Sequence, residues 1–371
     1  MKLSDFDFHL PKDRIAQHPS DKRDHSRLLI LDKTSKTMKH QMFYDIYDEL
    51  SEDDVLVIND TKVIPARLLG IKEKTDATIE VLLLKETSPH HWEAMTKPAR
   101  RVKIGTKIHF SDLLVAECVE EKEEGLRIFK MHYEGLFIEV LERLGSMPLP
   151  PYITEKLFEK DRYQTVYAKD PGSAAAPTAG LHFTKELLIK IQTKGVEIIP
   201  ITLHVGLGTF KPVQTENILE HPMHEETYTI SKESADRLNQ AMFHGKKIVC
   251  VGTTSIRTLE SNYQNGFHPG TFETSIFIYP GYIFKVVDKL ITNFHLPKST
   301  LIMLVSALAG REFILDAYKI AVDKGYRFFS FGDAMFIKWL KNEEKIIIMI
   351  VEENNDLSFD KYIYLLSHNR S

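Results

Sequence analysis

Pro171-Gly-Ser-Ala-Ala-Ala-Pro-Thr-Ala-Gly-Leu-His-Phe-Thr184 sets three polar side chains, Thr178, His182 and Thr184, among prolines, glycines and small residues. Small residues let a ligand approach the backbone. Thr184 before Lys-Glu-Leu-Leu has the form of an N-cap opening a helix whose free N–H groups favour an electronegative partner. A glycine-rich connection without a ligand is the competing reading. Gly252-Thr-Thr-Ser-Ile-Arg257 follows an apolar strand and opens another helix. Its glycine permits close approach, Thr253, Thr254 and Ser255 offer hydroxyls, and Arg257 stands one helical turn in, within reach of a carboxylate. The Gly-Lys-[Ser/Thr] ending of a phosphate loop is missing, so the segment suits a ribose, carboxylate or phosphate rather than a nucleoside triphosphate. An arginine on a helix surface competes with the binding reading of Arg257.

Four further stretches carry candidate chemistry. His204-Val-Gly-Leu-Gly-Thr-Phe210 ends a strand, but Lys211 and Pro212 stand where a dinucleotide fold needs a third glycine and a helix, which excludes that fold. His221-Pro-Met-His-Glu-Glu226 combines two imidazoles and two carboxylates, yet Pro222 and the lack of a His-Glu-x-x-His order speak against a metal. A general base, carboxylates facing a cationic ligand, and a solvated turn all remain open for Glu225 and Glu226. Asn293-Phe-His-Leu-Pro-Lys-Ser-Thr300 places His295, Lys298, Ser299 and Thr300 where a strand crosses into a helix, a position that favours anions; Ser299 as a plain N-cap accounts for part of this. Lys97-Pro-Ala-Arg-Arg-Val-Lys103 is the densest basic cluster, suited to an RNA backbone or simply solvated.

Apolar spacing indicates the elements that position these residues. Residues 27–32 and 55–59 read as strands, with Phe43, Ile46, Tyr47 and Leu50 at helical spacing between them. Residues 77–84, 107–110, 114–119 and 126–131 are β-rich without long intervening helices, the pattern of a small antiparallel barrel. A helix at 134–144 stops at Gly145, and Met147-Pro-Leu-Pro-Pro-Tyr makes a stiff exit. Residues 66–150 thus form an insertion, a candidate RNA contact, between core segments 1–65 and 151–337.

Helices and strands then alternate. A helix at 184–194 buries Leu187, Leu188 and Ile191, a strand follows at 196–205, and a helix capped by Ser231 runs to Gly245 before a strand at 247–251. A helix capped by Ser299 ends at Gly310, and another reaches Gly325 and leads into a strand at 326–331. The fold class is therefore α/β: a mixed-sheet α/β core with an inserted small antiparallel β-barrel domain, its ligands gathered at the carboxyl ends of the strands. Residues 346–351 and 362–366 suggest a terminal hairpin.

At 371 residues, 43% hydrophobic and 27% charged, the chain has the composition of a soluble two-domain protein. No apolar run reaches the length of a membrane span and the first residues lack a signal-peptide core, so a cytoplasmic protein without membrane contact is expected. Cys118 and Cys250 lack metal-ligand spacing and read as two buried thiols. A net charge of −4 excludes a broadly basic surface, though a few local phosphate contacts still give salt-sensitive RNA binding.

In this order, the motifs resemble the S-adenosylmethionine:tRNA ribosyltransferase-isomerase family of the queuosine pathway. They are Asn59-Asp-Thr-Lys-Val-Ile-Pro-Ala-Arg67, Lys97-Pro-Ala-Arg-Arg101, the 171–184 stretch, Leu203-His-Val-Gly-Leu-Gly-Thr-Phe210, Gly252-Thr-Thr-Ser-Ile-Arg257, Asn293-Phe-His-Leu-Pro-Lys-Ser-Thr300 and Phe331-Gly-Asp-Ala-Met335. The likeness covers residues 1–337 and leaves 338–371 as an extension outside the family pattern. It implies transfer of the ribosyl part of S-adenosylmethionine to 7-aminomethyl-7-deazaguanine in a tRNA anticodon loop. No metal or redox cofactor is implied, the donor being consumed as a substrate, and the enzyme is expected to act as a monomer. His182, Glu226 and His295 are then the catalytic candidates. Thr178, Thr184, His204, Thr253, Thr254, Ser255, Arg257, Asn293, Lys298 and Asp333 are substrate-binding candidates, and Lys97, Arg100, Arg101 and Lys103 tRNA-binding candidates. An ordinary methyltransferase would show a glycine-rich nucleotide turn after an early strand, which is missing. A non-catalytic RNA-binding protein would explain the basic cluster but not the polar motifs at strand ends.

Overall fold

The computed structural model describes residues 1–338 except 156, 158, 207–212 and 214; the hairpin expected at 346–366 lies outside them. Strand β1 (Arg27–Asp32) turns back into β2 (Thr37–Met42), and a single helical turn, α1 (Ile46–Glu49), leads to β3 (Asp54–Asn59) and β4 (Thr61–Val63). The polar strand β2 was not expected from its sequence. Its Thr-Met-Lys-His-Gln-Met lies on the edge of the sheet, where one side meets water and apolar alternation is not required. By contrast β3 is buried along its whole length, as befits a central strand of a mixed sheet.

The barrel follows as β5 (Arg67–Lys72), β6 (Thr78–Ser88), β7 (His91–Lys97), β8 (Lys107–Phe110), β9 (Leu114–Glu121) and β10 (Leu126–Tyr133), closed by antiparallel pairing of β10 with both β7 and β9. Strands β5 and β7 escaped the sequence reading. Gly70 interrupts β5 because a Cβ there would come within 2.6 Å of Ile108 and Phe110, and β7, His-Trp-Glu-Ala-Met-Thr-Lys, contains no β-branched aliphatic residue and no apolar run. Inward residues such as Val81, Ala94, Ile108 and Phe129 fill the barrel, and α2 (Phe137–Leu144) closes one side of it.

Returning to the core, β11 (Asp170–Ser173) pairs with β4, and α3 (Lys185–Thr193) precedes β12 (Glu197–Leu203) and β13 (Glu226–Ile230). Then come α4 (Lys232–Phe243), β14 (Lys247–Val251), α5 (Thr253–Asn262), β15 (Gly270–Thr274), β16 (Lys289–Asn293), α6 (Thr300–Ala309), α7 (Arg311–Asp323) and β17 (Ala334–Lys338). The nine strands are ordered β15-β13-β12-β3-β14-β16-β17-β1-β2. Residues 326–331, expected as a strand, are not one: Phe328 and Phe329 turn into the core, Phe329 with φ +70°, and the strand begins only at Ala334. Hydrophobicity here serves packing rather than a ladder, Phe328 lying 4.9 Å from Phe294 ring to ring.

Candidate active site

Parallel pairing among β12, β3, β14 and β16 puts their carboxyl ends along one edge. Antiparallel β17 brings its amino end there too, with Ala334 opposite Asn293. Over this edge lies the 171–184 stretch, whose residues Thr178–His182 form a tight 3-10 turn. Gly252, with φ +87°, lets α5 start directly at the end of β14, and a Cβ there would lie 3.7 Å from that of Ala179. The result is a cavity bordered by Thr178, Thr253, Thr254, Asn293, His295 and Tyr152.

Asn293 organises the cavity floor. Its Oδ1 accepts from the Thr178 hydroxyl at 3.0 Å, and its Nδ2 donates to the Phe329 carbonyl and to His182 Nε2 at 3.2 and 3.0 Å. His182 Nε2 therefore accepts, which leaves the proton on Nδ1, 2.7 Å from the Ser26 hydroxyl. Both ring nitrogens are engaged, the ring stacks on Phe43, and burial with the charges of Arg327 and Arg23 lowers its pKa to about 3. A histidine so held is a neutral positioning group for Asn293. His295 is equally buried and lowered to about 3, but by burial alone. Its Nε2 lies 3.0 Å from the Thr292 hydroxyl, and its Nδ1 makes no hydrogen bond to any described residue.

Leu301 borders both this cavity and the adjoining hollow, where Arg257 and Glu226 meet in a buried ion pair with 8% and 3% of their side chains exposed. Two residues 31 positions apart are joined because the helix that carries Arg257 packs on β12 and β15, the two neighbours of β13 in the sheet. Glu226 also accepts from the Gly206 N–H at 3.3 Å. Arg257 Nε and Nη2 are buried without a hydrogen-bond partner, a costly state for a guanidinium and one that an anionic ligand would relieve. Thr254 Oγ1 is likewise buried and unpartnered.

Glu226 and His224 border in turn a groove between core and barrel, whose barrel side is formed by Trp92, Met95 and Lys85. Lys85 ties the barrel to Glu273 of β15 by an ion pair. His204 faces this groove, with Nδ1 2.8 Å from the Thr61 hydroxyl and its basicity lowered by burial, against which Asp170 acts. Gly172 is required beneath it, since a Cβ would stand 2.9 Å from the His204 ring.

Other candidates are used elsewhere. Thr184 caps α3, accepting from Leu187 N at 3.1 Å, and Ser255 donates to the Val251 carbonyl at 2.8 Å inside the core. Lys298 pairs with Asp7 at 2.7 Å on the surface. The Asp333 carboxylate is taken up by Arg27 and by the Arg327 N–H at 2.8 Å. Their motifs surround the site, but these four side chains do not border the cavity. Arg100 and Arg101 are exposed on a barrel loop that the buried Arg127 pins from beneath through the carbonyls of Val102 and Ala99, at 2.9 and 3.1 Å. Lys97 and Lys103 are exposed as well, Lys103 3.1 Å from Glu121. Tyr152, which stacks on Phe329 and hydrogen-bonds Ser330 at 2.7 Å, was missed; an aromatic emerging from a proline-rich exit was its signal.

Buried histidine, arginine and amide groups at the strand ends of a mixed sheet, with a barrel across the groove, define a two-part α/β enzyme. Residues 3–337 match the model of the queuosine biosynthesis protein family, and the chain belongs to that family. It is 57% identical over 341 residues to an S-adenosylmethionine:tRNA ribosyltransferase-isomerase of Clostridioides difficile (strain 630), covering 91% of this chain and 100% of the relative. A crystal structure of S-adenosylmethionine tRNA ribosyltransferase from Thermotoga maritima superposes with a TM-score of 0.52 at 38% identity, covering 90% of this chain and 100% of the other.

Proposed function

We infer that this chain transfers the ribosyl moiety of S-adenosylmethionine to 7-aminomethyl-7-deazaguanine at the wobble position of tRNA and isomerises it, giving epoxyqueuosine with release of adenine and methionine. The observation that carries this reading is the end-to-end match to a relative named for ribosyl transfer and isomerisation. The methyltransferase and non-catalytic alternatives are not favoured, since the same name covers the whole of the matched relative. No cofactor is assigned beyond the donor itself, and the enzyme is taken to act in the cytoplasm as a monomer; no helix among the described residues is long and apolar enough to cross a membrane.

The unpartnered Nε and Nη2 of Arg257 suit the methionine carboxylate, while Glu226 beside it neutralises the guanidinium and faces the cationic donor. Thr253, Thr254 and Thr178 offer hydroxyls to the ribose, and Asn293, fixed by His182, orients them. The sulfonium acidifies its neighbouring CH₂, and a neutral imidazole with an open nitrogen can accept that proton, which assigns His295 to proton transfer with Glu226 as the second candidate. The attacking nucleophile is the substrate's own amine, which loses a proton as its new C–N bond forms. Adenine leaves with a proton as its glycosidic bond breaks, the carbon deprotonated beside sulfur forms the ring-closing C–C bond to the carbon that held adenine, and a sugar oxygen forms the epoxide C–O bond as sulfur leaves with methionine. The groove between core and barrel admits a base from a single-stranded loop, and the exposed Arg100 and Arg101 suit the RNA backbone.

The test is S-adenosylmethionine labelled in its ribose carbons, incubated with the protein and tRNA bearing the aminomethyl-deazaguanine base. Label in the tRNA with stoichiometric free adenine is the expected result. Labelled donor left intact by folded protein that binds both substrates would refute it.

A further inference from the structure

Next to the cavity, beyond Ser330, one region gathers more guanidinium groups than carboxylates to answer them. Arg23, Arg162 and Arg327, far apart in sequence, converge around Ser20. Arg162 donates to the backbone oxygens of Ser20 and Asp21, and Arg327 to the Ser20 hydroxyl at 2.9 Å and the His18 carbonyl at 3.3 Å. Arg23 donates to the carbonyls of Asp161 and Leu181 at 2.8 and 3.1 Å. These partners are neutral oxygens. Neither Arg23 nor Arg162 forms an ion pair with another described residue, and Arg327 reaches Asp333 only at 4.0 Å. Arg162 Nε is buried with no hydrogen-bond partner.

The strain of this arrangement shows in Arg23, whose pKa is lowered by burial and then by the charge of Arg162, with Asp161 opposing. Two adjoining hollows lined by these groups also take in Lys22 and Arg27, against only two carboxylates, Asp21 and Asp333. Asp333 is already committed to Arg27. In a chain whose net charge is −4, such a concentration of half-buried guanidinium groups is unfavourable until an anion completes it. Guanidinium forks match phosphate oxygens, and several converging from different directions fit a tetrahedral anion better than a planar carboxylate. The hollow reaches His182 and shares Ser330 with the catalytic cavity, so an anion here lies beside the reaction centre.

We propose that Arg23, Arg162 and Arg327 hold a backbone phosphate of the RNA substrate close to the nucleotide being modified, as a second grip separate from Arg100 and Arg101 of the barrel. The proposal rests on the tRNA reading above. A phosphodiester held there fixes the path of the strand on the core while the barrel holds the rest of the loop, so that both parts must engage before the base is in register.

The experiment measures binding of an anticodon stem-loop RNA across a salt series to the full-length wild-type chain, Arg162→Gln and Lys22→Gln, with S-adenosylmethionine binding as the check that each variant is folded. Lys22 is exposed, so its variant keeps the test valid if Arg162→Gln unfolds. The expected result is about a tenfold loss of RNA affinity for Arg162→Gln. The slope of log K against log salt should fall by about 0.7 for each phosphate contact removed from a single strand. Donor binding should be unchanged in Lys22→Gln. Unchanged RNA affinity and slope in both variants would overturn the proposal. A parallel arm adds inorganic phosphate alone: stabilisation of the wild type that Arg162→Gln abolishes, without any effect on RNA binding, would make this a free-phosphate site and overturn the RNA assignment. Failure of the wild type to bind the stem-loop at any salt would instead remove the tRNA reading, and this proposal with it.

Discussion

At the carboxyl edge of the large sheet the charged and polar groups are buried and bonded to one another, as in Arg257 with Glu226 or His182 with Asn293, whereas on the barrel the cations Arg100, Arg101 and Lys103 stand in water. The barrel interior is apolar, and its one buried cation, Arg127, serves the backbone of its own loop. Buried groups in a low-dielectric setting act strongly on a bound ligand and lose little to salt; exposed cations act weakly, at longer range, and are screened. On the proposed function, the sheet edge is the part suited to chemistry and the barrel surface the part suited to salt-sensitive attraction of a polyanion.

Substitutions that separate these two behaviours sharpen the contrast. His295→Ala should lower turnover by about 10² to 10⁴ while donor binding persists, as expected for loss of a proton-transfer group. Single-turnover assays alongside donor titration decide this, and unimpaired turnover would transfer the role to Glu226. His182→Gln, which keeps an acceptor for Asn293, should be far milder than His182→Ala if that ring only positions. Next, Arg257→Ala should weaken S-adenosylmethionine binding by roughly 10- to 100-fold, the effect of losing charged hydrogen bonds. Calorimetry at two salt concentrations should give the same loss at both; a loss that vanished in high salt would place Arg257 with the barrel cations.

Stability should also depend on pH through the sheet edge. His182 and His295 have folded pKa values near 3, far below the 6.5 of an exposed imidazole, so the unfolded chain binds more protons as pH falls through 6.5. Each histidine then withdraws about 2 kcal/mol of stability between pH 6.5 and 5. Denaturant melts at these two pH values should show the decline, and His182→Gln should lessen it; an unchanged difference would mean that the ring charges in the folded state. The smallest effect belongs to the barrel. Arg100→Ala combined with Arg101→Ala should reduce tRNA affinity several-fold at low salt, flatten its salt dependence and leave donor affinity untouched. An equal loss at all salt concentrations would break the contrast between the two regions.

The fold class was legible because its signals are local. Ser231, Ser299 and Thr184 each cap the helix that follows, and Gly252 marks a strand-to-helix turn that only a residue without Cβ enters easily. What escaped depended on distant neighbours: Gly70 makes room for Ile108 and Phe110 across the barrel, and the aromatic run near Phe328 fills the core instead of joining the sheet. The site divides similarly. Motifs indicated which side chains gather at the strand ends, but residue types alone could not tell that Asn293 occupies the lone pair of His182 while His295 keeps a nitrogen open. Arg23, Arg162 and Arg327 form no cluster along the chain at all and meet only around Ser20.

The pairing of β1 with β17 has a consequence for biosynthesis. Every strand of the barrel finds its partners by residue 133, and its entry and exit are joined at Arg67 and Ser146, so this module can fold while the ribosome is still making the core. The large sheet waits far longer: β3 needs β12 and β14, and β1 remains without one neighbour until residues 334–338 emerge. The barrel therefore exists before the carboxyl edge of the large sheet does, and the nascent core must keep β1 and β3 from pairing with other chains until β17 arrives.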